Sequence, residues 1–382
     1  MSLVSRPPAT AGVVIGWLFV NGFFLLKNGM ITTGEAGKYI HEAQSFLQTG
    51  HLESHNFIFY SVTIFLLSTC LKLHLGFGWV LVIQGGFALA ATLSFHKTLL
   101  FLLRSPAIAL IATGLLLLNL PYQALNTSLQ TESLFQSISL LFVCRLLRQQ
   151  SYSQQFLLTM LLYLAILTLI RPTGLLYWPL GAIYLGILAL ASQPPVIKII
   201  TVSLAMVGIL IAINLAMSSG GEFDFSLPFR EEHIICGSPT LLTPRAIPVS
   251  GSGNSVFSLL YYIFHDFGSF LRLAGLKTLS FWAIYRNYYS SRHNIFLAIY
   301  FYPIIILALL SLPRWKRNGL LLQYACLATP IAMTWLTVLL TCDDWSNRFF
   351  LSISPLLLLL AAGAWAPSAT ATSSNTSSHN RY

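Results

Sequence analysis

Apolar runs long enough to cross a membrane alternate with polar segments along most of the chain. A bilayer core needs about 20 apolar residues as a helix, and about ten runs approach this length. The pattern predicts an all-α polytopic membrane protein with about ten transmembrane helices. The predicted spans are residues 11–26, 79–95, 106–121, 134–144, 156–170, 174–191, 197–217, 295–312, 320–340 and 350–365.

Two long segments interrupt this alternation and are predicted to lie on the outer side. The first, residues 27–78, contains an apolar run at 57–71 that ends next to Lys72, and we interpret this run as an interfacial helix. The second, residues 218–293, ends in basic residues mixed with aromatics, which suits another interfacial helix. We therefore expect one transmembrane domain over 1–366 and a disordered Ser/Thr/Ala-rich tail at 367–382.

The charged residues predict the orientation. Cytoplasmic loops are enriched in Lys and Arg, so the basic loops, both termini and the tail are predicted to be cytoplasmic. The acidic residues then all fall on the outer side, where we expect the chemistry. The basic loops contain Arg6, Lys97, Arg104, Arg145, Arg148, Lys198, Arg314, Lys316, Arg317 and Arg381. The acids are Glu35, Glu42, Glu53, Glu132, Glu222, Asp224, Glu231, Glu232, Asp266, Asp343 and Asp344.

Composition excludes two broad classes of protein. Only 8% of the 382 residues are charged, against roughly a quarter in soluble domains, so the chain cannot cover a water-facing surface. The net charge of +10 comes from scattered basic residues that form no stripe for nucleic acid. The five cysteines lack metal spacing and are expected to be buried; a Cys236–Cys342 disulfide is the less favoured alternative.

Glu35 is the first candidate functional residue, since it follows the first span in the segment TTGEAGKYIHEA. Tyr39 and Ala43 recur at helical spacing after it, so Glu35 is predicted to begin a helix, where the dipole favours a carboxylate. The competing hypothesis is a general base at the membrane surface.

Histidine and glutamate residues are frequent in the same outer loop. They lack the HExxH pattern, so a solvated loop is favoured over a metal site. The residues concerned are His41, Glu42, His51, Glu53 and His55.

Two further charged residues lie at predicted outer helix ends. Glu132 begins a helix, where an N-cap role for Thr131 explains the local sequence. Arg171 ends one helix just before Pro172 begins the next. It either anchors the helix by snorkelling or binds a phosphate through its guanidinium.

The second outer segment and the last span supply further candidates. Asp343, Asp344 and Arg348 lie at an outer helix start, where a surface ion pair or a cap is expected. Lys277 lies among aromatic residues, and either anchors an interfacial helix or contributes to a site for an anionic lipid head group.

The first outer loop resembles that of the GT-C superfamily of integral-membrane glycosyltransferases, in particular the relatives of protein mannosyltransferases and the bacterial aminoarabinose transferase. Members follow the first span with a motif like D-E-x-x-Y-x-x-x-A. Here EAGKYIHEA places Glu35, Tyr39 and Ala43 at the Asp, Tyr and Ala positions, whereas Ala36 replaces the second acid.

Later motifs extend the resemblance over nearly the whole chain. Glu132 is similar to the acid that follows the third span of the family, and Arg171 begins an RPT sequence at a helix junction. Arg348 and Phe349, followed by Pro355, are similar to the outer R-[YF]…P that precedes the last core helix.

The resemblance implies a GT-C-like fold and a polyprenyl-phosphate-linked sugar as donor, with a lipid, glycan or protein acceptor, at a bacterial inner membrane. Glu35 is then the expected base. The expected substrate-binding residues are Tyr39, Glu132, Arg171, Lys277 and Arg348. The resemblance assigns no cofactor and no metal ligand, and a divalent metal stays an open alternative.

Two other hypotheses stay open. A polytopic transporter or lipid-linked sugar flippase needs no covalent chemistry, but it predicts broken helices and ionisable residues deep within spans. In this sequence the charges gather at the outer ends of spans instead. An assembly or anchoring subunit without activity fits the replacement of one acid by Ala36.

Overall fold

Every regular element in the described part of the chain is a helix. The structure, a computed structural model, describes residues 7–149, 153–189, 194–218, 224–241, 243–244, 246–248 and 253–365. Only isolated bridges, and no strands, accompany the helices in these ranges. The all-α prediction is confirmed. The predicted tail at 367–382 lies outside the described residues.

The helices are labelled in chain order. The first ten are α1 (Pro7–Asn28), α2 (Glu35–Thr49), α3 (Ser61–Lys72), α4 (Gly78–Leu103), α5 (Pro106–Leu118), α6 (Leu120–Ala124), α7 (Glu132–Arg148), α8 (Gln154–Ile170), α9 (Trp178–Ala189) and α10 (Pro195–Ser218). The others are α11 (Ser226–Arg230), α12 (Val256–His265), α13 (Phe267–Ala283), α14 (Ser291–Leu310), α15 (Leu312–Arg317), α16 (Leu321–Leu340) and α17 (Arg348–Ala362). Short 3₁₀ helices span His55–Tyr60, Leu125–Thr127, Pro172–Tyr177 and Gly363–Trp365.

Six helical segments of the described chain are long and apolar enough to cross a bilayer, which identifies a multi-pass membrane protein. The bent pair α5–α6 raises this number to 7 if it forms one span. The predicted count of ten is not confirmed. The three other predicted spans correspond to α7, α8 and α9, which have only 17, 17 and 12 residues. The six segments are Ala9–Asn28, Gly78–Leu103, Pro195–Leu215, Ser291–Arg317, Leu321–Leu340 and Arg348–Trp365.

Helix α17 lies at the centre of the bundle. It packs against α5, α7, α14 and α16, and most of its length is buried. Helices α5 and α8 each begin at a serine that caps the first turn. The Ser153 hydroxyl accepts a hydrogen bond from Phe156 N at the start of α8, and Ser105 caps α5 just before Pro106.

The two ends of the bundle have opposite charge character. Helices α4 and α7 run antiparallel, because Gln84 contacts the Gln130 carbonyl at one end while Arg148 donates to Ser94 at the other. Glu132 and the start of α17 lie at the first end, which we call the acidic end. At the opposite, basic end, the Trp315 ring donates to the carbonyl of Leu360.

The first predicted outer segment forms a small helical unit. Helix α2 packs on α3, and α3 in turn contacts α8. Gly50 ends α2 in the left-handed conformation (φ 76°), which glycine adopts without steric cost. The predicted helix at 57–71 is present, as the 3₁₀ turn His55–Tyr60 followed by α3.

A disulfide joins the second predicted outer segment to the loop before α17. Cys236 and Cys342 are bonded, so the expectation that favoured buried free thiols is wrong for this pair. The backbone pairs alongside: Asp343 N donates to Ile234 O, and Cys236 N donates to Asp343 O, both at 2.8 Å. Cys70, Cys144 and Cys326 are free and buried, as expected.

Side-chain amides connect α1 to the bent α5–α6 pair. The bend of 59° occurs at Asn119, whose amide donates to the Ser354 hydroxyl on α17 at 2.8 Å. Asn126 donates to Asn21 on α1 at 2.8 Å, and Asn21 donates to Gln123 at 3.3 Å. These buried amides satisfy one another's hydrogen-bonding groups.

Candidate functional site

Arg348, the first residue of α17, is the centre of a group of charged side chains at the acidic end. Asp344 holds it in two ways. Its Oδ1 accepts from the backbone N of Arg348 at 3.1 Å, and its Oδ2 accepts from Nη2 at 2.7 Å and from Nε at 3.1 Å. Asp344 thus caps α17 and fixes the guanidinium of its first residue.

Glu132 connects this arginine to a second one. Its Oε1 accepts from Arg348 Nη1 at 2.9 Å and from Arg171 Nη1. The predicted capping role of Thr131 is wrong, because its hydroxyl makes no capping bond and instead lies 3.5 Å from Glu132 Oε2. The carboxylate of Glu132 is therefore used for tertiary contacts between α7, α8 and α17.

Glu35 completes the group, which we call the charged cluster: Glu35, Glu132, Arg171, Asp344 and Arg348. Glu35 Oε1 accepts from Arg348 Nη2 at 2.9 Å, and its Oε2 accepts from Nη1. The side chains of Glu132 and Asp344 are only 1% and 6% exposed, whereas that of Glu35 is 43% exposed. Glu35 is therefore the carboxylate through which solvent reaches the cluster.

The cluster stabilises the ionised forms of Glu35 and Asp344. Burial alone would raise the pKa of Glu35, but the hydrogen bond and charge of Arg348 outweigh it, and the pKa lies below the ordinary 4.5. For Asp344, burial is again outweighed by Arg348, and the pKa falls to about 2. Three carboxylates and two guanidiniums leave the ionised cluster with one net negative charge.

A second buried ion pair, between Arg286 and Asp343, lies next to the pair between Arg348 and Asp344. Asp343 Oδ2 accepts from Arg286 Nη2 at 2.6 Å and from Ser280 Oγ at 2.9 Å. Arg286 also donates to the carbonyl of Asp344 at 2.9 Å. Burial raises the pKa of Asp343 despite its arginine partner. The two adjacent aspartates therefore fix two different arginines.

Tyr39 and Lys277 were both predicted to bind substrate, and the side chains of both are buried. The Tyr39 ring is buried in the contact between α2 and α3, 5.2 Å from the Tyr60 ring. Lys277 is fully buried, donates to the carbonyl of Thr341 and lies 4.0 Å from the centre of the Phe229 ring. Burial lowers the pKa of Lys277 to about 7. The contacts described here, with Tyr60 for Tyr39 and with Thr341 and Phe229 for Lys277, are not with side chains of the charged cluster.

The described residues do not form a metal site. No group of three or more His, Cys, Asp or Glu side chains among them is placed to hold an ion. In the histidine-rich loop, Glu42 is buried and accepts from the backbone N of Glu53 at 2.9 Å, while His41 and Glu53 stay exposed. The carboxylates of the cluster are paired with guanidiniums instead.

Sequence reasoning missed one polar feature of the site and one elsewhere in the bundle. Asp344 was expected in a surface ion pair or a cap, but its ion pair with Arg348 is buried. His96 lies one residue beyond a predicted span, but α4 continues past it, and its ring nitrogen contacts the Thr113 hydroxyl at 3.0 Å inside the bundle. The adjacent acids of CDDW, with Arg348 four residues after Asp344, were the available signal.

Comparison with protein-family models, with curated proteins and with solved structures finds no match to this chain.

Proposed function

We propose that this protein is a membrane glycosyltransferase that moves a sugar from a polyprenyl-phosphate-linked donor to an acceptor hydroxyl at the outer face of a bacterial inner membrane. One observation carries the proposal. A partly exposed carboxylate, Glu35, contacts the buried guanidinium of Arg348 at the acidic end of a membrane bundle. The resemblance of EAGKYIHEA to the GT-C motif supports the same conclusion.

The cluster contains the groups that this chemistry needs. A phosphate leaves as an anion, so the reaction needs cations near the leaving group but no strong acid to protonate it. One carboxylate is enough to take the proton of the acceptor, unlike the pair that a glycosidase requires. Glu35 supplies that carboxylate, and Arg348 with Arg171 supplies the cations.

In the proposed step, the acceptor oxygen bonds to the anomeric carbon of the sugar. The bond from that carbon to the phosphate oxygen breaks, and its electron pair leaves with the polyprenyl phosphate. Glu35 takes the proton that the acceptor hydroxyl releases. Glu132 and Asp344 hold the guanidinium of Arg348 in place and do not contact the reacting atoms.

The proposed topology has ten spans, with both termini in the cytoplasm. Helices α7, α8 and α9 then cross the membrane although they are short; of the three, α7 is largely enclosed by other helices. A cysteine placed at the exposed Ser54 should react with a membrane-impermeant maleimide in intact cells. A cysteine at Arg317, on the basic end, should react only after the cells are opened. The reverse pattern would contradict the topology.

A transporter or flippase is the second candidate, and the bend between α5 and α6 favours it. Such proteins use broken helices near the membrane midplane. Asn119, at the bend, donates to Ser354, so the break is filled by protein contacts. Neither of these two side chains is ionisable, whereas a transport pathway typically contains ionisable groups, which leaves the glycosyltransferase as the better-supported proposal.

The test is release of sugar from a panel of radiolabelled polyprenyl-phosphate sugars by purified protein in lipid. Wild type is compared with Glu35→Gln and with Glu53→Gln, a control on the same loop with similar exposure (46% against 43%). We expect wild type and the control to consume one donor and Glu35→Gln to consume none. Failure of folded wild type to consume any donor would contradict the proposal.

A further inference from the structure

We propose that Glu35 occupies an anion site on Arg348, and that a lipid-linked phosphodiester displaces it when it binds. The inference rests on the proposed function in one respect: the ligand is taken to be the phosphodiester of the sugar donor. The site itself is defined by the contacts of Arg348 alone.

Carboxylates and phosphates bind guanidinium groups in the same way. The planar guanidinium offers pairs of N–H donors that match two oxygens of either anion. Glu35 uses both terminal nitrogens of Arg348, one for each carboxylate oxygen. A phosphodiester has two non-bridging oxygens and fits the same pair of donors, so the two anions compete for one position.

Exposure decides which carboxylate can leave. Glu132 and Asp344 are enclosed, and removing either from Arg348 would leave an uncompensated buried charge. Glu35 is 43% exposed and gains water contacts when it leaves the guanidinium. Exchange at Glu35 therefore keeps Arg348 fixed by its two buried partners while one pair of N–H donors becomes available to the ligand.

The movement needs only the Glu35 side chain. Ala36 and Ala43 on α2 are fully buried and Tyr39 is 3% exposed, so the helix is held by packing. Glu35 is its first residue, and Gly34 before it provides no side-chain cap. Rotation about the side-chain bonds of Glu35 thus frees the site without displacing α2.

The net charge of the cluster favours a diester over a monoester. A phosphodiester has one negative charge, so replacing the Glu35 carboxylate leaves the charge around the arginines unchanged. A phosphate monoester has about −1.5 to −2 charges at pH 7 and adds negative charge beside Glu132 and Asp344. The donor of the proposed reaction is a diester, whereas its polyprenyl phosphate product is a monoester.

The exchange also changes how strongly Glu35 binds a proton. While it is bound to Arg348, its pKa is held below 4.5, which makes it a weak proton acceptor. Release from the guanidinium removes the main interaction that lowers this pKa. Ligand binding would therefore raise the basicity of Glu35 at the moment when the donor is in place.

The test measures binding of a short-chain prenyl-phosphate sugar to the full chain in nanodiscs. Glu35→Gln removes the competing charge, so we expect about two- to fivefold tighter binding than wild type, the effect of losing one partly exposed charge pair. Glu53→Gln should bind like wild type. Glu35→Asp, which keeps the charge, should bind less tightly than Glu35→Gln. Equal or weaker binding by folded Glu35→Gln would overturn the exchange.

Two further ligands distinguish the source of the phosphate. We expect inorganic phosphate and phosphatidylglycerol nanodiscs without the prenyl ligand to show no difference between wild type and Glu35→Gln. A difference as large as that for the prenyl diester would overturn its assignment as the ligand.

Sugar turnover separates this inference from the proposed function. Tighter binding by Glu35→Gln without turnover by wild type would support the exchange and contradict the glycosyltransferase. Turnover by wild type with equal affinities in both proteins would overturn the exchange and support the glycosyltransferase.

Discussion

Arg348 and Glu35 are 313 residues apart in the chain, yet both terminal nitrogens of the guanidinium donate to the carboxylate of Glu35. The contact joins the start of the last long helix to the first polar segment. It therefore closes the acidic end of the bundle around Glu132 and Asp344, both buried. Arg348 is the one partner that all three carboxylates of the cluster share.

Replacing Arg348 by Ala should strongly destabilise the protein. It leaves Glu132 and Asp344 buried without their shared partner, which costs about 3–5 kcal/mol in the free energy of unfolding. Arg292→Ala, at an exposed position, is the control and should stay within about 0.5 kcal/mol of wild type. Thermal unfolding of the purified variants compares the two, and equal midpoints would contradict the assigned role of Arg348.

Acid should weaken the fold through Asp344. Its pKa is about 2 in the folded protein, below the ordinary 3.8, so its contribution is complete above pH 3.8 and is lost as the pH falls towards 2. The loss over this range amounts to about 2 kcal/mol. Asp344→Asn starts less stable but should lose less on acidification, while Glu53→Gln should follow wild type. Parallel curves of unfolding temperature against pH for all three proteins would contradict this prediction.

The disulfide can be tested by counting thiols. Alkylation of the denatured, unreduced chain should modify three cysteines, Cys70, Cys144 and Cys326, and reduction should raise the number to five. Reduction of the bond between Cys236 and Cys342 should lower the free energy of unfolding by about 2–4 kcal/mol. The double variant Cys236→Ser/Cys342→Ser should not respond to reductant. Five reactive thiols before reduction would show that the bond is absent.

Gly174 should not tolerate a side chain. A Cβ there would lie 2.2 Å from the carbonyl oxygen of Leu167, in the turn whose Gly174 N–H donates to Arg171 O. Gly174→Ala should therefore cost about 1–3 kcal/mol and shift Arg171 away from Glu132. Gly114→Ala is the control, since a Cβ at that position would have no neighbouring side chain within 4 Å. An unfolding temperature unchanged relative to Gly114→Ala would contradict the packing at this turn.

The sequence predicted the ends of helices better than the contacts between them. Charge sidedness placed Glu35, Glu132, Arg171 and Arg348 on one side of the membrane, because loops of a polytopic chain must emerge alternately. The structure joins these four residues in one network. Their mutual distances depend on packing between helices far apart in sequence, which hydrophobic periodicity does not encode.

Whether a side chain is buried was harder to predict than the side of the membrane on which it lies. Lys277 was expected to face a ligand because it lies among aromatic residues, but the packing of α13 directs it to the carbonyl of Thr341. Cys236 and Cys342 are separated by 106 residues, and no local spacing indicates their pairing. Both outcomes follow from how the second outer segment folds back against the loop before α17.

The amides that join Asn21 to Gln123 and Asn126 have a consequence for the position of Glu35 along the membrane normal. An aliphatic helix can slide along its axis in lipid while losing little packing energy, because one apolar neighbour replaces another. Hydrogen bonds between amides have only one register, so they fix the axial position of α1. The axial position of α1 in turn sets the depth at which the residues after it begin. The depth at which the Glu35 carboxylate meets Arg348 is thus determined within the bundle and not by the thickness of the surrounding bilayer.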